Sequence, residues 1–101
     1  MSSGGFVSIR LIRKAQAGTL ESSDCMVVVS PSDGYALEYG GQNEAIFKRR
    51  TERIVREIAE RYAPAEVRIQ DRGALEATLR ARVETAFERA SREDGQGGSE
   101  R

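Results

Sequence analysis

The 101-residue chain balances 16 Lys and Arg against 16 Asp and Glu, is 39% hydrophobic and 32% charged, and contains no histidine. Zero net charge argues against nucleic-acid binding driven by excess positive charge, and 6% aromatics without Trp offer no stacking platform for single strands. The missing histidine removes the commonest general base, the commonest metal ligand and the centre of any Ser-His-Asp triad, so neither a catalytic set nor a metal site is expected.

Residues 1–14 read as an N-terminal extension or edge strand. Within Phe6 to Arg13, Val7, Ile9 and Leu11 alternate with Ser8 and Arg10, a period-2 pattern. Ala15 to Glu21 and Cys25 to Ser30 read as the strands of a hairpin. The second is rich in β-branched residues and too short for a helix. Between them lie the turn-formers Ser22, Ser23 and Asp24. Ser30 to Gly34 is a second turn, and a third strand follows in which Tyr35, Leu37 and Tyr39 alternate with Ala36 and Glu38.

Gly40 and Gly41 close that strand, and Asn43 is placed to cap a helix running to about Tyr62. Phe47, Ile54, Ile58 and Tyr62 share one face of it, with Val55 beside them, and Pro64 stops it. Glu66 to Gln70 is a short strand. Asp71 is placed as the N-cap of a second helix through about Ala90, with Leu75, Leu79, Val83 and Phe87 as its buried stripe. Residues 92–101 are Gly-rich and charged, and are expected to be a disordered tail. The order β-β-β-α-β-α predicts an α+β domain over 15–91. About four mostly antiparallel strands would carry two helices packed on one face.

Chemistry-bearing candidates are few. Gly40 and Gly41 precede a helix and could hold an anion, but such a pair more often turns the chain. Acids and arginines interleave along the first helix as a solvated face. Cys25 opens an apolar strand with no base near it, which argues against a nucleophile. A lone cysteine forms no internal disulfide, which favours a reducing compartment. No apolar run approaches a membrane span of about 20 residues. The N-terminus lacks the pattern of a signal peptide, so a cytoplasmic location is expected. Arg72, Arg80 and Arg82 are candidates for meeting phosphates singly or for binding a partner's acids. Arg80 and Arg82 do not share a helix face.

Ser22 stands out only by its place at a hairpin tip. The segment 17–24, AGTLESSD, resembles the AGTLESGD segment of the citrate lyase acyl carrier protein (gamma subunit) family. The segment 71–84, DRGALEATLRARVE, resembles that family's D-x-GAL-x-x-x-LRAR-x-E block. The two blocks lie in the family's order and at about its spacing, and the resemblance runs from about Ala15 to Ser91.

The resemblance implies that Ser22 carries a covalently bound phosphoribosyl dephospho-coenzyme A arm through a phosphodiester, with Gly18, Thr19, Leu20, Glu21, Ser23 and Asp24 as its motif neighbours. Ser23 stands where the family usually has Gly, which leaves a second hydroxyl beside the first. The chain would hold acetyl and citryl thioesters while citrate is cleaved to acetate and oxaloacetate. Its implied partners are an alpha acyl transferase subunit, a beta acyl lyase subunit and a prosthetic-group transferase. The carrier itself would catalyse nothing. Glu21 and Asp24 would repel the arm's phosphates slightly, by about 1 kcal/mol per charge pair at 4 Å in water.

Two alternatives are the carrier subunit of malonate decarboxylase, with the same prosthetic group, and a non-enzymatic α+β module that binds a ligand or RNA.

Overall fold

The computed structural model describes residues 8–41 and 44–92. Phe6, Val7, the Asn43 cap and nearly all of the expected tail lie outside them. The elements are β1 (Ala15–Gly18), β2 (Cys25–Pro31), β3 (Ala36–Gly41), α1 (Glu44–Ala59), β4 (Ala65–Asp71) and α2 (Glu76–Ser91). This is the expected α+β order.

The four strands form one sheet in the order β1-β2-β4-β3. Two of its three pairings, β1 with β2 and β2 with β4, are antiparallel. The third, β3 with β4, is parallel, because α1 carries the chain back to the starting end of the sheet. Strand alternation divides the sheet into two faces. Cys25, Val27 and Val29 of β2 and Ala65, Val67 and Ile69 of β4 are buried on one of them. Met26, Val28, Glu66, Arg68 and Gln70 point the other way, where Arg68 pairs with Glu38 at 3.2 Å.

Both helices cover the apolar face. α2 lies over β1 and β2, and α1 packs against β3 and α2. Ile54, Val55 and Ile58 of α1 and Leu79, Val83, Ala86, Phe87 and Ala90 of α2 are buried between helices and sheet. Tyr62 stacks on Phe87 with ring centroids 4.7 Å apart. Thr51 completes the α1 stripe between Phe47 and Val55 and is fully buried, a polar residue in an otherwise apolar row.

The extension joins the end of the molecule where α1 and α2 finish. Ile9 makes an isolated parallel bridge to Tyr62, and Ile12 N–H donates to the Ala90 carbonyl at 2.8 Å. Leu11 packs against the core, so residues 9–12 form an arm tied to the helix ends.

Three expectations need correction. β1 stops at Gly18 and does not continue to Glu21, because Gly18 turns the chain with φ +96°. Asp71 is not the N-cap of α2, which starts five residues later after Leu75. Gly73, at φ +94°, interrupts any helical path from Asp71, and the Asp71 carboxylate caps the intervening loop instead. Leu75 is not part of the buried stripe: it precedes the helix and is 74% exposed.

Candidate functional site

The topology brings both motif segments to one end of the sheet. Cys25 of β2 and Gly41 of β3 flank Asp71 of β4 in register. The β1–β2 turn (19–24) and the β4–α2 loop (72–75) therefore emerge side by side. They are joined by backbone bonds that continue the β2–β4 ladder. Ser23 N–H donates to the Arg72 carbonyl and Arg72 N–H to the Asp24 carbonyl, both at 2.8 Å. A Cβ placed on Gly73 would lie 4.0 Å from the Ser23 Cα, so the loop passes directly beneath the turn.

Local chemistry holds the turn in shape. Asp24 N–H donates to the Glu21 carbonyl at 3.1 Å, closing a four-residue turn with Ser22 and Ser23 at its centre. Ser23 sits at φ +67°, the left-handed region that glycine enters without strain. A glycine at this place, as the related segment has, thus has a conformational reason. Gly18 sets the entry to the turn: any Cβ there would overlap the Cys25 carbonyl oxygen.

The Asp24 carboxylate is the hub of the turn. It accepts the Thr19 hydroxyl at 2.7 Å and the Cys25 N–H at 2.7 Å. It also accepts Arg82 Nε at 2.9 Å and Nη2 at 3.1 Å, a two-pronged pair reaching across from α2. The Arg82 guanidinium, aided by the Thr19 and Cys25 donors, holds the carboxyl well below the usual carboxylate range. Asp24 is thus neutralised inside the chain, and the expectation that it would repel an arm's phosphates is corrected. Glu21 alone among the two acids remains exposed and unpaired among the described residues.

The three arginines have different places. Arg82 is committed to Asp24. Arg80 pairs with Glu57 at 3.0 Å and Glu76 at 3.9 Å. Arg72 is exposed, and its guanidinium has no partner among the described residues.

Beneath the loop lies a buried polar cluster that sequence reasoning missed. Asp71, 3% exposed, accepts Gly73 N–H at 3.0 Å and Ala74 N–H at 2.9 Å on one oxygen. Its other oxygen accepts the Tyr39 hydroxyl at 2.6 Å and lies 3.6 Å from Arg50. Burial, together with the hydrogen bond to Asp71, pushes the Tyr39 phenol up to about 12. A signal for the loop existed in Asp71-Arg72-Gly73, a turn-forming run, but nothing local pointed to Tyr39 or Arg50.

Ser22 is exposed at the tip, and its hydroxyl has no partner among the described residues. Cys25, three residues on, is fully buried, and burial pushes its thiol up to about 12. It is no nucleophile. Leu20 (46% exposed), Leu75 (74%) and Ile46 (69%) are large apolar side chains on elements that reach this same end. Among the described residues no group of His, Cys, Asp and Glu is arranged to hold a metal ion. Among the described residues no helix is long and apolar enough to cross a membrane.

Comparison with known proteins gives this geometry its context. Residues 12–90 match the acyl carrier family model described as the malonate decarboxylase delta subunit (MdcD). The chain is 40% identical over 86 residues to the citrate lyase acyl carrier protein of Serratia proteamaculans, covering 81% of this chain and 84% of that protein. It is 42% identical to that of Halothermothrix orenii (79% and 88% covered) and 44% identical to that of Escherichia fergusonii (82% and 90%). The fold is similar to a chain in the crystal structure of a Pseudomonas malonate decarboxylase hetero-tetramer in complex with malonate. There the TM-score is 0.58 at 21% identity, with 77% of this chain and 84% of that chain covered. With these relatives, and with both motif segments converging on one turn, the chain belongs to the citrate lyase acyl carrier protein family.

Proposed function

We propose that this protein is the non-catalytic acyl carrier subunit of a cytoplasmic citrate lyase, with a phosphoribosyl dephospho-coenzyme A arm attached at Ser22. The observation that carries the reading is the convergence of the two motif segments on an exposed serine, at the tip of a turn braced from two sides. When bound, the group supplies a thiol at the end of a long arm that holds an acyl group as a thioester.

The residues present fit such a group. The Ser22 hydroxyl is open to solvent and engaged with no other described residue, so a modifying enzyme reaches it from outside. The nearest acid on the C-terminal side, Asp24, is neutralised by Arg82, and Arg72, whose guanidinium has no partner among the described residues, lies across the ladder from the turn. Of the two acids of the turn, only Glu21 is left to oppose a negatively charged phosphodiester. The chain has no histidine and its thiol is buried, so among the described residues it offers Ser22 only the neighbouring carboxylates Glu21 and Asp24. The transferase that attaches the arm must supply the base.

What this chain contributes is placement. The Asp24–Arg82 pair fixes the turn to α2, and the Asp71 cluster fixes the loop beneath it. The arm thus starts from a rigid point, and tethering raises the acyl group's effective concentration at successive active sites. The exposed apolar side chains Leu20, Ile46 and Leu75, on elements that reach the same end of the sheet, are surface for partner enzymes to hold. The alpha and beta subunits would perform the acyl exchange and the carbon–carbon cleavage.

The test is the intact mass of the protein purified from its own cells. A mass above that of the bare chain by one arm supports the reading; a bare chain in cells that cleave citrate contradicts it. A second reading, carrier of malonate decarboxylase, is favoured by the family description and the shared fold. The acid turned over by the assembled complex separates the two.

A further inference from the structure

Of the three arginines near the motif segments, two are already paired within the chain. Arg82 holds Asp24, and Arg80 holds Glu57 and Glu76. Arg72 alone of the three is unpaired among the described residues, and its main chain is hydrogen-bonded on both sides to the turn that carries Ser22. We propose that Arg72 binds the phosphodiester joining the arm to Ser22, and holds the base of the arm over the depression at the ends of β3 and β4. The inference rests on the carrier role and assigns to that group the residue of this chain that meets it.

The position is set by the backbone. Arg72 O accepts the N–H of Ser23, the residue after Ser22, and Arg72 N–H donates to Asp24, so the side chain departs from a fixed point beside the turn. Arg72 also borders an open depression of ≈ 360 Å³ whose other walls are Gly40, Gly41, Gln70 and Asp71. Gly40 contributes no side chain, and a Cβ there would meet nothing within 4 Å, so the space beside Arg72 is open.

The neighbouring carboxylates do not oppose an anion in equal measure. The Asp71 oxygens are occupied by Gly73 and Ala74 N–H, the Tyr39 hydroxyl and Arg50. Asp24 is neutralised by Arg82. Glu21 is the remaining acid of the turn, exposed and unpaired among the described residues. A guanidinium presents paired N–H donors that match two oxygens of a phosphate, which an ammonium does not. Because the site is exposed, the contact is sensitive to salt.

The test uses the full-length protein labelled with ¹⁵N, prepared with the arm from cells containing the transferase and without it from cells lacking the transferase. Arg72→Gln, made in the arm-free protein, assigns the Arg72 Nε–Hε resonance. The expected result is that this resonance moves when the arm is present and returns toward its arm-free position near 1 M salt, where the screening length is about 3 Å. The Arg80 resonance holds still. The ³¹P resonance of the diester should shift over the same salt range. An arm mapped to Ser22, with an unmoved Arg72 resonance and a salt-independent ³¹P resonance, overturns the inference and leaves the carrier role standing. An arm mapped to another residue overturns the attachment at Ser22, and the role of Arg72 with it.

Discussion

Arg82 grips Asp24 with two nitrogens, at 2.9 and 3.1 Å, across 58 residues of sequence. The pair couples the hairpin turn to α2, and it is the one side-chain link among the described residues that runs directly from the helix face to the turn. Arg82→Ala should lower the melting temperature and quicken amide exchange at Ser23 and Cys25, while Arg82→Lys, which keeps the charge but loses the fork, should do less. Asp24 has a depressed folded pKa, so its contribution is present above the unfolded value of about 3.9 and lost only as pH falls through the lower folded value. The gap in stability between wild type and Asp24→Asn should therefore be full at neutral pH and close in strong acid. Equal melting temperatures at pH 7 would show that the pair does not stabilise the turn.

Gly18 and Ser23 both sit at positive φ, with opposite consequences for substitution. Gly18→Ala should cost more than about 2 kcal/mol, since strain at φ +96° is joined by overlap with the Cys25 carbonyl. Gly34→Ala, where a Cβ meets nothing within 4 Å, should fall within about 0.5 kcal/mol of wild type. Ser23→Gly should range from neutral to about 1 kcal/mol stabilising, as relief of the left-handed strain offsets the added freedom of the unfolded chain. Urea denaturation of the three variants checks the order.

Leu75 and Leu79 test where the core begins. Leu79, fully buried, should lose about 2–5 kcal/mol on truncation to Ala. Leu75, 74% exposed, should lose less than about 0.5 kcal/mol. The same pair separates stability from docking, since Leu75→Ala should weaken association with partner enzymes while leaving the unfolding midpoint unchanged.

The alkaline limb of stability should reveal the buried thiol and phenol. Cys25 and Tyr39 are both pushed up to about 12, against unfolded values near 8.5 and 10. An acid that holds its proton more tightly when folded contributes stability that is full below its unfolded pKa and lost as pH climbs to the folded one. The melting temperature should thus fall progressively above about pH 8.5. Cys25→Ala should be less stable overall but fall less steeply between pH 8.5 and 10. The native thiol should also resist alkylation at pH 8 until the protein is unfolded.

How much of this was legible in the sequence depends on how local each signal is. The β-branched run in CMVVVS marks a strand and the i+4 spacing of Leu79, Val83 and Phe87 marks a buried helix face, each over a few residues, and the structure has both. Asp71 reads as an N-cap because its carboxylate does satisfy N–H groups two and three residues on, while Gly73 delays the helix to Glu76. Leu75 continued the i+4 series on paper but lies before the helix that the series presupposes. The buried place of Thr51 leaves no mark in a hydrophobic pattern, because its hydroxyl counts as polar. At the site, the exposure of Ser22 followed from the turn-formers around it. The Asp24–Arg82 pair and the Tyr39–Asp71 bond did not, since residues that meet only through the tertiary fold leave no periodic trace.

Attachment at Ser22 is tested most directly by peptide mass mapping after incubation with the transferase and the arm precursor. Wild type and Ser23→Ala should each gain one arm on the peptide containing residue 22, while Ser22→Ala, folded and with an unchanged unfolding midpoint, should gain none. Modification of Ser22→Ala together with an unmodified Ser23→Ala would contradict the account and place the arm on the neighbouring serine.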